Sequence, residues 1–302
     1  MSLKLLVIGG TGFFGKSILD SFIRGKLKKF KIQELIVLSR STYEFKILYP
    51  EFVSSNVKYI NGDIAKLESL PEADIVIHAA TSSNKNDYII NSFREKQNTE
   101  LGVSNYIKLA SKFHKNSKIV YCSSGAVYGK QPNEIDNIYE DYPFQDISQL
   151  PLLKRDYALG KRNAEIQFKD FGNAGFNVAI ARCFAFYGDY LPEDGHFAFS
   201  SFLKSAKKGE DIIVNATHEV IRSYMHADDL VNSLIKVALS SNSNCPIYNV
   251  GSDKPISIFL LAKKIALEFN VNVITKKKIN YNLIDRYVPN TDKLKNLLNK
   301  NI

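Results

Sequence analysis

Two kinds of apolar segment alternate along the first two thirds of the chain. Short, continuously apolar runs have the length and composition of buried strands, and they lie at 4–10, 34–40, 57–63, 74–80, 118–124 and 177–183. Longer segments between them place apolar residues at helical spacing, at 15–25, 98–114 and 156–172. Continuously apolar strands alternating with helices predict a doubly wound α/β fold of the Rossmann type, with a parallel sheet covered on both faces.

The alternation becomes less regular after about residue 185. Three further helix candidates follow, separated by short irregular pieces, at 195–211, 227–241 and 256–270. We therefore predict a dinucleotide-binding domain over 1–185, completed by parts of 225–250. A smaller, mixed lobe that binds the substrate is expected over most of 186–302.

Composition and charge narrow the class of protein without indicating a partner. The 302 residues are 45% hydrophobic and 24% charged, as in an ordinary soluble globular protein. The net charge of +9 comes from scattered lysines with short runs at 24–31 and 276–278, which are typical of a solvated surface. Without an aromatic-basic motif, nucleic-acid binding is not expected.

The cysteines and the apolar runs bear on location. Three cysteines lie far apart with no CxxC spacing, which indicates free thiols in a reducing compartment and no metal site. No run approaches ~18 apolar residues, and the first apolar run is short for a signal peptide. We therefore expect a cytoplasmic protein that does not enter a membrane.

Residues 9–15, GGTGFFG, leave a predicted strand and enter a predicted helix. That context is typical of a dinucleotide-binding turn. Gly9 permits the tight turn, Gly12 lets the backbone approach a pyrophosphate, and Gly15 allows close packing of helix and sheet. The predicted cofactor contacts in this turn are Gly9, Gly10, Thr11, Gly12, Phe13, Phe14 and Gly15.

The end of the second predicted strand bears on which dinucleotide is bound. NAD-binding proteins commonly place an acidic residue there for the ribose 2′-hydroxyl, whereas this chain has Ser39 and Arg40. A guanidinium suits a 2′-phosphate better, so NADP is favoured over NAD. The alternative is that Arg40 stacks on the adenine or faces water.

Further cofactor contacts are predicted where later strands end. Asp63 is placed to accept a hydrogen bond from the adenine amino group, and small residues after the fourth strand leave room for the cofactor. His78, which precedes them, is interpreted as structural rather than catalytic. The full set of contacts at these strand ends is Gly62, Asp63, Ile64, His78, Ala79, Ala80, Thr81, Cys122 and Ser123.

Tyr157 and Lys161 lie four residues apart in a predicted helix, so they share one face. The Lys161 ammonium would stabilise an ionised Tyr157, which could then exchange a proton with a substrate hydroxyl while hydride moves at the same carbon. Both side chains are expected to contact the cofactor as well. The Y-x-x-x-K spacing is common by chance, and it becomes informative here because a serine-ended strand and a dinucleotide turn precede it.

Motifs in a fixed order extend over nearly the whole chain. They are GGTGFFG at 9–15, GDI at 62–64, HAA at 78–80, SSGAVYG at 123–129, YALGK at 157–161, ARCFAFYG at 181–188, RSYMHADDL at 222–230 and YNVGS at 248–252. In these motifs the chain resembles the extended short-chain dehydrogenases/reductases, the NAD(P)-dependent epimerase/dehydratase family that acts on nucleotide sugars.

The resemblance implies roles for individual residues. Tyr157 would be the acid/base, Lys161 its activator, and Ser124 a hydrogen-bonding partner of the substrate oxygen. Arg222 would contact the diphosphate of a nucleotide sugar. The complete set of expected substrate contacts is Ser124, Phe184, Tyr187, His196, Phe197, Arg222 and Arg286, although the aromatic residues of the segment 196–199 fit ordinary packing equally well. A homodimer through the helices at 98–114 and 156–172 is also implied.

Two departures from the family pattern bear on the activity. The 4,6-dehydratases that the chain resembles carry an Asp-Glu pair directly after the serine or threonine, where this chain has Gly125 and Ala126. We therefore expect 4-epimerisation, or reduction of a 4-keto sugar by NADPH. A dehydratase and a non-catalytic dinucleotide sensor are the alternatives. Ala185 replaces an asparagine that often helps to hold the diphosphate in the family. The details of substrate binding in the family therefore cannot be transferred to this chain.

Overall fold

A computed structural model of the protein describes residues 2–81, 85–148, 150–192 and 197–300. The described strands are β1 (Leu3–Ile8), β2 (Ile32–Ser39), β3 (Val57–Asn61), β4 (Ile75–His78), β5 (Lys118–Ser124), β6 (Val178–Cys183), β7 (Phe186–Tyr187), β8 (Ile212–Val214), β9 (His218–Arg222), β10 (Met225–His226), β11 (Ile247–Val250), β12 (Ile256–Ser257), β13 (Val273–Thr275) and β14 (Asn280–Tyr287). The described helices are α1 (Phe13–Ile23), α2 (Thr42–Leu48), α3 (Lys85–Phe113), α4 (Leu152–Asn173), α5 (Ala198–Lys207), α6 (Ala227–Leu239), α7 (Ile258–Phe269) and α8 (Asp292–Leu298).

Seven strands form the main sheet, in the order β11-β6-β5-β4-β1-β2-β3. Every neighbouring pair is parallel, and Val7 in β1 lies between Val37 in β2 and Ile77 in β4. The order reverses between β1 and β4, which is the point where dinucleotides bind in folds of this type. The predicted doubly wound α/β fold is confirmed.

Each face of the sheet carries its own apolar layer because successive side chains of a strand point to opposite sides. Leu5 and Val7 pack in one cluster with residues of α1 and α6, including Ile18 and Leu230. Leu6 and Ile8 belong to the opposite cluster, whose helical members lie on α3 and α4. The helices therefore cover both faces, which explains why the strands are continuously apolar rather than alternating.

The C-terminal region has a separate small core. Helices α5 and α7 contact each other and the β8–β13 pair, around buried residues such as Phe202, Ile212 and Leu261. A three-stranded sheet with the order β12-β9-β14 lies in the same region. Helix α6 and strand β11 instead belong to the main layers. The domain limits at 185 and 186 stay a prediction.

Helix α3 begins earlier than the sequence pattern predicts and is kinked. Asn91 has non-helical backbone angles, φ −159° and ψ 87°. Its side chain accepts a hydrogen bond of 2.9 Å from the backbone N–H of Arg94. Asn91 therefore caps the second part of the helix in the manner of an N-cap residue. The helix predicted from the sequence, 98–114, therefore corresponds to the part of α3 after this kink.

Candidate active site

The turn between β1 and α1 has close backbone approaches that only glycine allows. Gly9 has φ +85°, and a Cβ there would lie 2.8 Å from the Cα of Ala80. A Cβ on Gly15 would lie 2.1 Å from the carbonyl oxygen of Gly10. The first contact brings β1 against the end of β4, and the second holds the start of α1 on the turn.

Gly12 in the same turn meets no such obstacle, because a Cβ there would be 3.5 Å from its nearest neighbour, the Gly9 carbonyl oxygen. It precedes α1 as its N-cap residue without a capping side chain, and the first turn of α1 carries no acidic residue. The amides at this helix N-terminus can therefore face an anionic group. This geometry fits the pyrophosphate of a dinucleotide.

The predicted cofactor residues on β2 and β3 meet beside this turn. The Thr11 hydroxyl lies 2.7 Å from the Ser39 hydroxyl, and the backbone N–H of Gly62 donates to the Ser39 carbonyl at 2.9 Å. Arg40 is exposed just beyond β2. The Asp63 carboxylate accepts a 3.0 Å hydrogen bond from the N–H of Ala65, which fixes the loop after β3.

His78 is enclosed by aromatic rings rather than directed at the site. Its ring centroid lies 4.9 Å from that of Tyr106 and 5.7 Å from those of Tyr121 and Phe168. Burial, helped by the charge of Lys161, lowers the pKa of His78 to about 3. His78 is therefore neutral at physiological pH, and its surroundings are those of a packing residue.

The two serines at the end of β5 have different partners. Ser123 donates a 2.6 Å hydrogen bond to the Glu165 carboxylate. The Ser124 hydroxyl oxygen accepts a 3.2 Å hydrogen bond from the N–H of Ala126 and so caps the 3₁₀ turn Gly125–Tyr128. Ser124 thus lies where the strand ends and the chain turns over the carboxyl edge of the sheet.

Tyr157 and Lys161 lie one turn apart on α4, which packs against β5. The Lys161 ammonium donates a 2.9 Å hydrogen bond to the carbonyl of Cys122 and lies 6.0 Å from the centre of the Tyr157 ring. Burial lowers the pKa of Lys161 to about 8. This hydrogen bond ties α4 to β5 two residues before Ser124, so the structure brings the three predicted catalytic residues to one edge of the sheet.

A buried ion pair supports this edge, and the sequence reasoning missed it. Arg182 in β6 lies 2.8 Å from a Glu165 oxygen, with both side chains at most 3% exposed. Arg182 also donates to the hydroxyl of Tyr128 at 2.9 Å. Glu165 thereby holds Ser123 and Arg182 together. The signal was available, since Glu165 lies one helical turn after Lys161 and Arg182 interrupts an apolar strand.

The predicted aromatic substrate contacts occupy different environments. Phe184 is buried at the end of β6, next to Tyr128 and Tyr287. Tyr187 is half-buried, with its ring 4.9 Å from Phe199. Phe197 is 51% exposed, and His196 falls outside the described residues.

The two predicted phosphate contacts are both ion-paired. Arg222 lies 2.8 Å from the carboxylate of Asp285, and Arg286 pairs with Asp136. Strands β9 and β14 are parallel, with Arg222 opposite Tyr287 and Arg286 opposite Ile221. Arg222 therefore shares a face of this small sheet with Tyr287 rather than with Arg286, and the assignment of Arg286 to the substrate stays a prediction.

Gly125 lies against two aromatic side chains, which a side chain at this position would have to displace. A Cβ there would lie 2.7 Å from Phe184 Cζ and 2.7 Å from the Tyr287 hydroxyl oxygen. Sequence reasoning identified Gly125 as a residue without a carboxyl group. It did not identify Tyr287, because nothing in the local pattern around 287 indicates contact with a position near 125.

Residues 2–81, 85–148, 150–192 and 197–300 contain neither a metal site nor a membrane-spanning helix. No group of three or more His, Cys, Asp or Glu in those ranges could hold a metal ion. No helix in the same ranges combines the length and apolar character needed to cross a bilayer.

The profile of the NAD dependent epimerase/dehydratase family matches residues 5–251. The chain belongs to this family. The match includes the glycine turn, Ser124, Tyr157 and Lys161, so the resemblance found in the motifs is confirmed.

Curated relatives of this family member differ in their reactions. The chain is 29% identical over 274 residues to a dTDP-D-glucose 4,6-dehydratase of Dictyostelium discoideum, covering 87% of this chain and 61% of the relative. It is 25% identical over 264 residues to UDP-glucuronic acid decarboxylase 1 of Xenopus tropicalis, covering 87% and 59%. The chain thus spans about 60% of the length of these relatives.

Solved structures share the fold at low sequence identity. The dTDP-glucose 4,6-dehydratase DesIV of Streptomyces venezuelae, with NAD and TYD bound, has a TM-score of 0.81 and 21% identity, covering 98% of this chain and 91% of its own. The UDP-N-acetylglucosamine 4-epimerase of Methanobrevibacter ruminantium M1 has a TM-score of 0.81 and 20% identity, covering 98% and 92%. Proteins with this fold therefore include both a 4,6-dehydratase and a 4-epimerase.

Proposed function

We propose that the protein oxidises and reduces C4 of a nucleotide sugar, as a 4-epimerase or a 4-ketoreductase. When bound, the nicotinamide accepts or supplies the hydride at C4. Tyr157 takes the proton of the C4 hydroxyl during oxidation and returns it during reduction. Lys161 stabilises the ionised Tyr157, and Ser124 hydrogen-bonds the same substrate oxygen. An epimerase returns the hydride to the opposite face, whereas a ketoreductase consumes a reduced nicotinamide.

The absence of a carboxyl group at positions 125 and 126 is the observation that favours these reactions over the others of the family. Elimination of water from C5 and C6 needs a base for the C5 proton and an acid for the leaving hydroxyl. Phe184 and Tyr287 fill the space of a side chain at 125, and Ala126 has no ionisable group. The position after Ser124 therefore provides no carboxyl group for this chemistry.

A 4,6-dehydratase is the second candidate, because the relative at 29% identity is a dTDP-D-glucose 4,6-dehydratase. Incubation with UDP-glucose, dTDP-glucose and their 4-keto-6-deoxy forms, with each nicotinamide, distinguishes the two by product NMR. We expect a C4 epimer, or a 4-hydroxy sugar formed from the 4-keto substrate. Formation of a 4-keto-6-deoxy product from dTDP-glucose would establish the dehydratase. No turnover of any substrate, together with tight dinucleotide binding, would favour a non-catalytic sensor.

Tyr157→Phe removes the proposed acid/base without changing the size of the ring. Turnover should fall at least about 100-fold, while the affinity for the dinucleotide, measured by fluorescence titration, stays close to wild type. Tyr139→Phe is the control, because Tyr139 is 53% exposed and should keep full activity. Wild-type turnover in Tyr157→Phe would contradict the mechanism.

NADP is the proposed cofactor, with NAD as the alternative. Its support is the exposed Arg40 at the end of β2, beside the hydroxyls of Thr11 and Ser39, in the place of a carboxylate. A guanidinium there can pair with a 2′-phosphate. Running the reduction with NADH and NADPH in parallel shows which is used.

A homodimer in a reducing, cytoplasmic compartment completes the proposal. Helices α3 and α4 pack on each other and expose large apolar side chains, among them Phe93, Leu101 and Ile166. A second copy of this chain is the proposed partner for this surface, with no nucleic acid or membrane involved. The location is supported by three free cysteines, all buried.

A further inference from the structure

Strand β14 brings Tyr287 against the carboxyl end of the main sheet. Its ring centroid lies 4.6 Å from that of Phe184, which follows β6, with the two rings tilted by 35°. Its hydroxyl donates a long, 3.5 Å hydrogen bond to the carbonyl oxygen of Cys183 and lies near the Ser124 side chain. Tyr287 therefore reaches the residue expected to hold the substrate oxygen, from a strand of the small C-terminal sheet.

The position of the Tyr287 hydroxyl is defined by Gly125. A Cβ at 125 would lie 2.7 Å from this oxygen, so the phenol occupies the place that a side chain after Ser124 would take. Because glycine has no side chain, position 125 leaves room for the Tyr287 hydroxyl. Phe184 closes the other side of the same space.

The hydroxyl is suited to donate a hydrogen bond to a ligand. Its 3.5 Å contact with the Cys183 carbonyl is at the long limit for a hydrogen bond, so a closer acceptor can compete for the proton. Burial raises the pKa of the Tyr287 hydroxyl above its ordinary value. The group therefore stays a neutral donor at physiological pH.

Tyr287 also lies between the two ends expected of a nucleotide sugar. Arg222, the predicted diphosphate contact, is its register partner on β9, and Ser124 is on the sugar side. We propose that Tyr287 binds the sugar, with its hydroxyl donating a hydrogen bond to a sugar oxygen next to the one held by Ser124. This inference rests on the proposed nucleotide-sugar substrate.

Tyr287→Phe tests the assignment, with Tyr281→Phe as a matched control on the same strand, where Tyr281 is 60% exposed. Calorimetric titrations use UDP-glucose and dTDP-glucose beside free UDP and dTDP, which lack the sugar. Loss of one hydrogen bond to the sugar should weaken nucleotide-sugar binding about tenfold. Affinity for the free diphosphates should not change, and Tyr281→Phe should match wild type throughout.

The outcomes separate this inference from the proposed function. Equal losses for the nucleotide sugars and the free diphosphates would mean that Tyr287 only supports the fold, and unchanged binding would mean that it makes no sugar contact. Either result overturns the inference and leaves the proposed function intact. A wild-type protein that binds the dinucleotide but none of the nucleotide sugars would overturn both.

Discussion

Lys161 combines three features in one side chain: burial, a hydrogen bond to the Cys122 carbonyl, and a neighbouring phenol. The Y-x-x-x-K spacing predicted its pairing with Tyr157. The spacing did not predict the surroundings, and burial is what lowers the pKa of Lys161 to about 8. The residue is therefore charged at neutral pH and close to losing its proton in mild base.

The pH dependence of activity follows from that shift. Lys161 supports an ionised Tyr157 only while charged, so kcat/KM should fall as the pH rises above about 8. Lys161→Met should cost at least about 100-fold in kcat/KM and remove this alkaline decline. Lys169→Met, on the exposed face of the same helix, is the control and should keep the wild-type profile.

The sign of the effect on stability is opposite. The folded pKa of Lys161 is below its usual 10.5, so the unfolded chain binds more protons between pH about 8 and 10.5. The Lys161 contribution therefore makes the free energy of unfolding rise with pH in that window.

A kcat/KM profile that stays flat to pH 10 would show that Lys161 is not the group whose titration controls activity.

At the scale of elements, the β1–α1 turn contains one glycine that close packing requires and another beside which the backbone leaves space. A Cβ on Gly15 would overlap the Gly10 carbonyl at 2.1 Å, whereas one on Gly12 would meet no atom closer than 3.5 Å. The two glycines look alike in the motif GGTGFFG. The folded backbone distinguishes them.

Gly15→Ala and Gly12→Ala should therefore fail in different ways. Gly15→Ala should lower the free energy of unfolding by about 1–3 kcal/mol, since the start of α1 must move away from the turn. Gly12→Ala should unfold like wild type without cofactor and lose at least about tenfold in dinucleotide affinity, because its methyl group enters the pyrophosphate space. Chemical denaturation and fluorescence titration measure both. Equal stability of the two variants would contradict this distinction.

The whole molecule leaves an apolar surface on α3 and α4 that includes Leu101 and Ile166, 60% and 58% exposed. Neighbouring apolar side chains of this size favour association. The two helices already pack on each other, so together they can present one continuous face to a second copy. The sequence pattern alone did not separate the outward residues from those facing the sheet.

Light scattering after size exclusion tests the dimer. We expect a mass of about twice the 34.1 kDa of one chain. Leu101→Glu combined with Ile166→Glu should give the monomer mass, because charges at the interface would be desolvated. Leu267→Glu on α7, where Leu267 is 86% exposed, is the control and should stay dimeric. A monomeric wild type would contradict the proposal.

The sequence determined the doubly wound fold, because continuously apolar strands and amphipathic helices are local patterns that burial dictates. It also determined the family and the candidates Ser124, Tyr157 and Lys161, since their chemistry depends on residue type and short spacing. Only the tertiary structure decided what surrounds them. The Glu165–Arg182 pair, the pKa of Lys161 and the contact of Tyr287 with Ser124 join distant parts of the chain, and such contacts depend on packing that no short stretch of sequence contains.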